Sequence, residues 1–114
     1  MSNLSQKTCE ACRPDAPKAT DDEISSFLSS YPDWTLMTVE GVLQLQRIYN
    51  FDSFQAALVF TNAVGAIAED EGHHPAILTE WGKVTVTWWS HKIKGLHVND
   101  FIMCAKCDSA HDIT

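Results

Sequence analysis

The segment EDEGHHPAILTEWGKVTVTWWSHKIKG, residues 69–95, decides the fold. It begins at the end of a helical pattern, where Gly72 supplies the residue type that commonly ends a helix in a left-handed conformation. Two strand-like runs follow, at residues 76–81 and 83–90, and the turn between them falls near Gly82. In the second run apolar side chains alternate with threonines, which predicts one buried face. The segment therefore predicts a helix followed by an antiparallel hairpin.

A helix and a pair of strands are also predicted upstream of this segment. Thr20 and Glu23 have the spacing of a capping box, which predicts the start of a first helix. Residues 34–39 and 42–49 are predicted to form two strands with a short connection. A second helix is predicted over residues 53–71, because apolar side chains recur there as a wide stripe at helical spacing.

A last helix is predicted over residues 98–108, so the order is helix, strand, strand, helix, strand, strand, helix. Because each strand pair has a short connection, we expect an α+β fold: a four-stranded antiparallel sheet with helices packed on one face. Four strands leave two edges, which an edge-to-edge dimer would cover. Residues 20–114 are predicted to form a single domain, preceded by a flexible leader over residues 1–19 that contains prolines and has no periodicity.

Charge and hydropathy exclude two classes of partner. The net charge is −7, and the eight Lys and Arg residues are scattered, whereas binding to nucleic acid phosphates needs clustered cations. No apolar stretch approaches the roughly 20 residues needed to span a bilayer, and the start of the chain lacks a signal-peptide hydrophobic region. We therefore predict a cytoplasmic protein that binds neither nucleic acid nor membrane.

Four cysteines form two C-x-x-C pairs, Cys9/Cys12 and Cys104/Cys107, which raises the alternative of a shared four-thiolate zinc site. Zinc ribbons usually separate their pairs by roughly 15–20 residues, whereas here most of the chain lies between them. The second pair also falls in an apolar helical pattern, where cysteine is often a small hydrophobic residue. The sequence favours neither a zinc site nor, in a reducing cytosol, a disulfide.

The most unusual feature of the sequence is a pair of adjacent histidines at a helix end. His73 and His74 lie between Gly72 and Pro75, and the proline biases the residue before it towards an extended backbone. Neighbouring side chains at such a junction point in different directions, so the two imidazoles can border one pocket from two sides. Glu69, in the last turn of the preceding helix, can orient one of them.

Further polar residues fall at the ends of other elements, where folds often gather functional groups. His91 ends the predicted strand 83–90, and Asp100 lies in the first turn of the last helix. A carboxylate at that helical position also has a purely structural use, because it stabilises the helix by roughly 0.3–1 kcal/mol. His97 and His111 are interpreted as surface or hydrogen-bonded structural residues.

Two chemical uses of His73, His74 and His91 compete. A metal site would require the imidazoles to converge at about 2.0–2.1 Å from one ion. The adjacency of two of them makes this awkward, since paired histidine ligands usually share a helix face at i, i+4. Acid–base catalysis needs less strict geometry and suits imidazole, whose unperturbed pKa is about 6.5. The residues therefore favour proton transfer without a metal.

The motif E-x-x-x-H-H-P at residues 69–75, followed by His91 and Asp100, resembles that of the pterin-4a-carbinolamine dehydratases. The resemblance covers roughly residues 20–108, including the order of helices and strands. The leader sequence CEAC and the run LTEWGKVTVTWWSH are similar to the bacterial branch that accompanies phenylalanine hydroxylase.

The resemblance implies a specific reaction. Dehydratases of this family eliminate water from the 4a-hydroxytetrahydropterin that aromatic amino acid hydroxylases release, and the quinonoid dihydropterin that forms is then recycled by a reductase. The family uses no metal and no organic cofactor. Its members form dimers by joining sheets edge to edge, and some pair these dimers into tetramers through helices. Some members are instead regulatory binding modules that partner a transcription factor, which is the alternative function here, and association with the hydroxylase itself is a further possible interaction.

The resemblance also implies residue roles, by position. His73, His74 and His91 would be the acid–base set, with Asp100 and Glu69 fixing imidazole orientation or protonation; which histidine is acid and which is base stays open. The residues expected to contact the pterin are Gly72, His73, His74, Pro75, Trp89, Ser90, His91 and Lys92. The chain departs from the family in having Trp89 before Ser90, and His97 where a serine or threonine commonly caps the last helix.

Overall fold

The computed structural model describes residues 4–9 and 16–113. The elements in chain order are a short 3₁₀ helix (Leu4–Gln6), α1 (Asp21–Ser30), β1 (Thr35–Val39), β2 (Val42–Asn50), α2 (Phe54–Glu71), β3 (Ala76–Glu80), β4 (Lys83–Trp88) and α3 (Val98–Asp112). The strands form one antiparallel sheet in the order β1-β2-β4-β3. This confirms the predicted α+β fold and its order of elements. Within the described residues, none of the helices combines the length and apolar character needed to cross a membrane.

The centre of the sheet forms one side of the hydrophobic core. In β4 the alternating residues Val84, Val86 and Trp88 are fully buried. On the neighbouring strand β2, Tyr49 pairs with Val84 and Leu45 pairs with Trp88, and both β2 residues are buried as well. Since side chains alternate across a strand, these residues share the face that α2 and α3 cover. The alternation that the sequence shows thus determines which face is buried.

Local capping groups explain where α2 begins and ends. The Ser53 hydroxyl accepts a hydrogen bond from the backbone N–H of Ala56 at 3.0 Å, which satisfies one of the unpaired donors of the first turn. At the other end Gly72 has φ +64°, and its N–H donates to carbonyl oxygens of the last turn. That left-handed conformation suits glycine, which has no Cβ. The glycine at the end of α2 is the residue that the sequence indicates.

Two element ends differ from the sequence prediction by two residues or more, and the other differences are of a single residue. Strand β4 ends at Trp88 rather than at residue 90, because the backbone of Ser90 forms a separate bridge with Gly95. Helix α3 continues to Asp112, beyond the predicted end at residue 108. The last turn of α3 is polar, so apolar periodicity did not predict that the helix continues through it.

The described part of the amino-terminal segment packs against α3. Leu4 is buried in the core, and the Lys106 side chain donates to the carbonyl oxygen of Ser5 at 3.0 Å. The backbone N–H of Cys9 donates to a carboxylate oxygen of Glu71 at 2.7 Å. The sequence predicted a flexible leader over residues 1–19, and the ordered contacts of residues 4–9 were not anticipated.

Asp108 joins the second half of α3 to the sheet. Its carboxylate accepts hydrogen bonds from the Tyr49 hydroxyl at 2.5 Å, from Arg47 at 2.8 Å and from the Trp34 indole N–H at 3.1 Å. The Arg47 guanidinium also lies 4.4 Å from the centroid of the Tyr49 ring. Because these donors are largely removed from water, they depend on the one carboxylate for their partners.

We expect Asp108→Ala to lower the free energy of unfolding by roughly 2–4 kcal/mol, because it leaves an arginine and two further buried donors without their shared acceptor. Urea denaturation measures the change. Asp112→Ala, which removes an exposed carboxylate from the same helix, is the matched control and should change stability by less than about 0.5 kcal/mol. Equal effects of the two substitutions would contradict this role for Asp108.

Candidate active site

A cavity of about 270 Å³ opens where three segments of the chain meet. Residues 72–74, at the end of α2, form one wall, and residues 90–93, in the loop after β4, form another. His97 and Asn99, at the start of α3, complete the lining together with Ala16. Four of the five histidines of the chain therefore border one cavity.

The junction after Gly72 separates the two adjacent histidines. The backbone N–H of His73 donates to the carbonyl oxygen of Ala68 at 3.1 Å, which continues the hydrogen bonding of the helix end. The chain then becomes extended towards β3. The consequence is a large difference in burial: the His73 side chain is 3% exposed and the His74 side chain is 60% exposed. The two imidazoles border the same cavity in very different surroundings.

Asp100 is the centre of the buried part of the site and has no solvent exposure. One of its oxygens accepts from His73 Nε2 at 2.7 Å. The other accepts from the Ser90 hydroxyl at 2.7 Å and from the backbone N–H of His97 at 2.9 Å. Three donors and the positive end of the α3 dipole stabilise the negative charge of a carboxylate that water does not reach. One side chain thus connects all three walls of the cavity.

The same contact determines the tautomer of His73. An ionised carboxylate only accepts hydrogen bonds, so Nε2 of His73 carries a proton and Nδ1 of the neutral ring is an acceptor. The ring also stacks on the Trp88 indole, with centroids 5.5 Å apart and planes at 11°. His73 is consequently held from its edge by Asp100 and from its face by Trp88.

The two exposed histidines of the cavity have weaker supports. His74 Nε2 lies 2.5 Å from a carboxylate oxygen of Glu69, and both side chains are mostly exposed. His91 is exposed and stacks on Trp89, with ring centroids 4.5 Å apart. Solvent screens interactions of this kind. These imidazoles are accessible to a ligand and to water at the same time.

The structure brings most of the sequence-predicted site residues to one place. Gly72, Ser90, Lys92 and the three histidines of the motif line the cavity. Asp100 and Glu69 lie behind it, each bonded to one imidazole. Pro75 and Trp89 are not among the lining residues of the cavity in the described part of the chain. Trp89 stacks on His91, which does line the cavity.

Sequence reasoning missed four residues of the lining: Ala16, Ile93, His97 and Asn99. His97 is the N-cap of α3: its Nδ1 accepts the backbone N–H of Asn99 at 3.0 Å, and the Asp100 carboxylate bonds back to the His97 N–H. The spacing of His97 and Asp100 is that of a capping box, which was the available signal. His111 lies elsewhere, packed against Tyr49 with ring centroids 4.9 Å apart.

The cysteines of α3 belong to the core. Cys104 and Cys107 are fully buried, and burial raises the pKa of Cys107 to about 12 and that of Cys104 well above its usual value. Burial, with the nearby carboxylate of Glu71, raises the pKa of Cys9 to about 12. Among the residues that the structure describes, no group of three or more His, Cys, Asp or Glu side chains is placed to hold a metal ion. Cys12 lies outside these residues.

We expect the two α3 thiols to be unreactive in the folded protein. A raised pKa keeps a thiol protonated until the pH approaches the raised value, and the thiolate is the reactive form. A Cys9→Ser/Cys12→Ser variant retains only Cys104 and Cys107 and should release no colour from a thiol-reactive disulfide reagent at pH 8. The same sample in concentrated urea should react at both cysteines. Rapid reaction without urea would contradict their burial.

Comparisons with known proteins agree with this geometry. A family model described as pterin 4 alpha carbinolamine dehydratase matches residues 17–110. A transcriptional coactivator/pterin dehydratase from Brucella melitensis is 26% identical, with a TM-score of 0.74 over 82% of this chain and 98% of that chain. A pterin dehydratase-like protein identified as a RuBisCO assembly factor in the alpha-carboxysome is 20% identical, with a TM-score of 0.58 over 68% of this chain and 88% of that chain. The second likeness concerns the fold alone.

Proposed function

The chain belongs to the pterin 4 alpha carbinolamine dehydratase family, and from this premise we propose that it is a hydro-lyase that removes water from 4a-hydroxytetrahydrobiopterin. The product is quinonoid dihydropterin, so the reaction supports tetrahydropterin recycling after aromatic amino acid hydroxylation in the cytoplasm. The observation that supports this proposal best is the cavity bordered by His73, His74 and His91, of which one is held by a buried carboxylate and two are exposed.

The reaction requires two proton transfers at a flat bicyclic ring. The bond between C4a and its hydroxyl oxygen breaks, and the oxygen leaves with the electron pair and accepts a proton. A neighbouring ring nitrogen loses its proton, and its electrons form the new carbon–nitrogen double bond. Water and the dihydropterin account for all atoms. Positioned acid and base groups each accelerate such steps by typically 10²–10⁴.

The site offers imidazoles for both transfers. His74 and His91 come from different walls of the cavity and are open to solvent, so each can exchange its proton with water between turnovers. His73 is fixed by Asp100 in the Nε2–H form, with Nδ1 as an acceptor, and completes the acid–base set. Glu69 supports His74 in the same manner from a more exposed position.

The size of the cavity suits a small heterocycle. Its volume of about 270 Å³ is near the lower end of ligand pockets, which usually measure about 300–1,000 Å³. We propose that the pterin ring enters between residues 72–75 and 89–92 and that its substituent stays in solvent. Backbone groups of these segments can then pair with the amide-like edge of the ring.

We expect His74→Ala and His91→Ala each to lower the catalysed rate about 100-fold or more, because each removes one positioned proton-transfer group. The 4a-carbinolamine is generated with an aromatic amino acid hydroxylase, and its decay is followed spectroscopically with and without the protein. Circular dichroism checks that the variants are folded.

His111→Ala is the matched control, since this histidine lies outside the cavity and its removal should leave the rate per folded molecule unchanged. Near wild-type rates for both cavity variants would refute the proposed mechanism. Failure of the wild-type protein to accelerate the decay would refute the proposed function.

A role as a binding module is the second candidate, and a feature of α2 favours it. Phe54, Leu58 and Val59 are large apolar residues exposed on this helix. The relative from Brucella melitensis is described as a transcriptional coactivator as well as a pterin dehydratase. We propose that copies of the chain associate through this apolar face of α2 and through the sheet edges at β1 and β3. A partner protein such as the hydroxylase would bind the same face in place of a second copy.

Light scattering at micromolar concentration should then give a mass that is a multiple of the 12.7 kDa chain. Phe54→Asp/Leu58→Asp should reduce this mass, because charges within an apolar contact are costly to bury. Asp52→Ala, a change at an exposed residue preceding the helix, is the control and should have no effect. A monomeric wild-type protein would contradict self-association.

A further inference from the structure

Glu71 is an unexpected residue at the end of α2. A carboxylate near the carboxyl end of a helix faces the negative end of the helix dipole, which destabilises the helix. Glu69 and Asp70, in the same turn, are exposed to solvent, whereas the Glu71 side chain is only 10% exposed. A charge of the unfavourable sign that is also largely removed from water requires partners. Those partners indicate what this side chain holds in place.

The partners of Glu71 come from the amino-terminal segment and from α3. One carboxylate oxygen accepts the backbone N–H of Cys9 at 2.7 Å, a distance typical of a bond to a charged acceptor. The other oxygen lies 4.0 Å from Lys106 Nζ, which donates to the carbonyl oxygen of Ser5 at 3.0 Å. Leu4, the neighbour of Ser5, is buried in the core. The carboxylate therefore joins the end of α2 to a segment that is itself anchored on α3.

Cys9 extends this connection to the start of α3. Its Sγ lies 3.9 Å from the carbonyl oxygen of Asn99, the distance of a weak sulfur hydrogen bond. Burial, together with the charges of Glu71 and Asp100, raises the pKa of Cys9 to about 12, so the thiol keeps the proton that this bond needs. Cys9 thus contacts both the last residue of α2 and the first turn of α3.

The two helix ends that Cys9 contacts are walls of the cavity. Glu71 is followed two residues later by His73, which lines the cavity, and Asn99 lines it from α3. Asp100, which follows Asn99, accepts from His73 at 2.7 Å. None of residues 4–9 is among the lining residues. This segment therefore bears on the spacing of the walls without contributing a side chain to the cavity.

We propose that Glu71 is a positioning residue: its bond to Cys9 fixes the spacing of the two helix ends that border the cavity. This spacing determines whether Asp100 and His73 meet. The inference rests on the proposed function, since it concerns the same cavity. Because the family match begins at residue 17, the support comes from a part of the chain outside the matched sequence. A misplacement of about 1 Å can lower a catalysed rate about 100-fold, and the loss of one of several supports should lower it less.

Glu71→Ala and Glu71→Gln separate the hydrogen bond from the stability of the helix. Alanine removes the acceptor but is the best helix former, so this variant should fold, which circular dichroism checks. Glutamine retains a side-chain oxygen that can accept the Cys9 N–H. We expect Glu71→Ala to lower the rate of carbinolamine dehydration at saturating substrate about tenfold, and Glu71→Gln to stay within about twofold of wild type. Glu71→Leu, a second good helix former without an acceptor, should repeat the loss.

Amide hydrogen exchange measured by NMR reports the same connection without any substrate. The N–H of Cys9 is bonded to Glu71, and the N–H of His73 is bonded to the carbonyl oxygen of Ala68 at the helix end. In Glu71→Ala both should exchange about tenfold faster than in wild type, and in Glu71→Gln both should stay close to wild type. A general loss of stability would also accelerate exchange in the core, so the amide of Val86 in β4 is the internal reference and should not change.

Asp70→Ala is the matched control, because it removes an exposed carboxylate from the same turn and should change neither the rate nor the exchange. A wild-type rate in Glu71→Ala, with unchanged exchange at His73, would show that Glu71 does not position the site. Equal losses in Glu71→Ala and Glu71→Gln would assign the effect to the charge and would also contradict the proposal. Absence of dehydration by the wild-type protein would overturn the proposed function, whereas the exchange measurement would still decide whether Glu71 holds the two helix ends.

Discussion

The architecture of the site depends on one buried carboxylate. Asp100 is inaccessible to water and accepts hydrogen bonds from an imidazole, a hydroxyl and a backbone N–H, which belong to three separate segments. A buried charge is tolerated only where such donors replace its hydration. The first turn of α3, the loop after β4 and the end of α2 are therefore held together by the same requirement that stabilises the charge. The start of α3 and the geometry of the candidate site therefore depend on the same side chain.

The adjacent histidines show how a single helix end produces two chemical environments. After Gly72 the chain leaves the helix, and His73 is directed inward while His74 remains in solvent. Their carboxylate partners differ accordingly, Asp100 being buried and Glu69 exposed. Electrostatic interactions are stronger where water is excluded. The buried pair is suited to fixing a geometry, and the exposed pair is suited to exchanging protons with solvent.

Much of this arrangement could be predicted from the sequence because it depends on local signals. Alternation in β4, the glycine at position 72 and the hydroxyl at position 53 each act over a few residues, and they determine the fold and the helix ends. The residues that sequence reasoning missed depend on distant contacts. Leu4 becomes buried only because α3 supplies a surface for it, and His97 lines the cavity only because α3 begins beside the junction after α2. Periodicity carries no information about such pairings.

The contacts of Leu4 and Cys9 have a practical consequence for where the folded unit begins. The family match starts at residue 17, yet Leu4 belongs to the hydrophobic core and Cys9 is bonded to the end of α2. A shortened chain cut at the family boundary would lose Leu4 from its hydrophobic core and the hydrogen bond from Cys9 to Glu71. The packing of the described residues therefore extends further towards the amino terminus than the family match does.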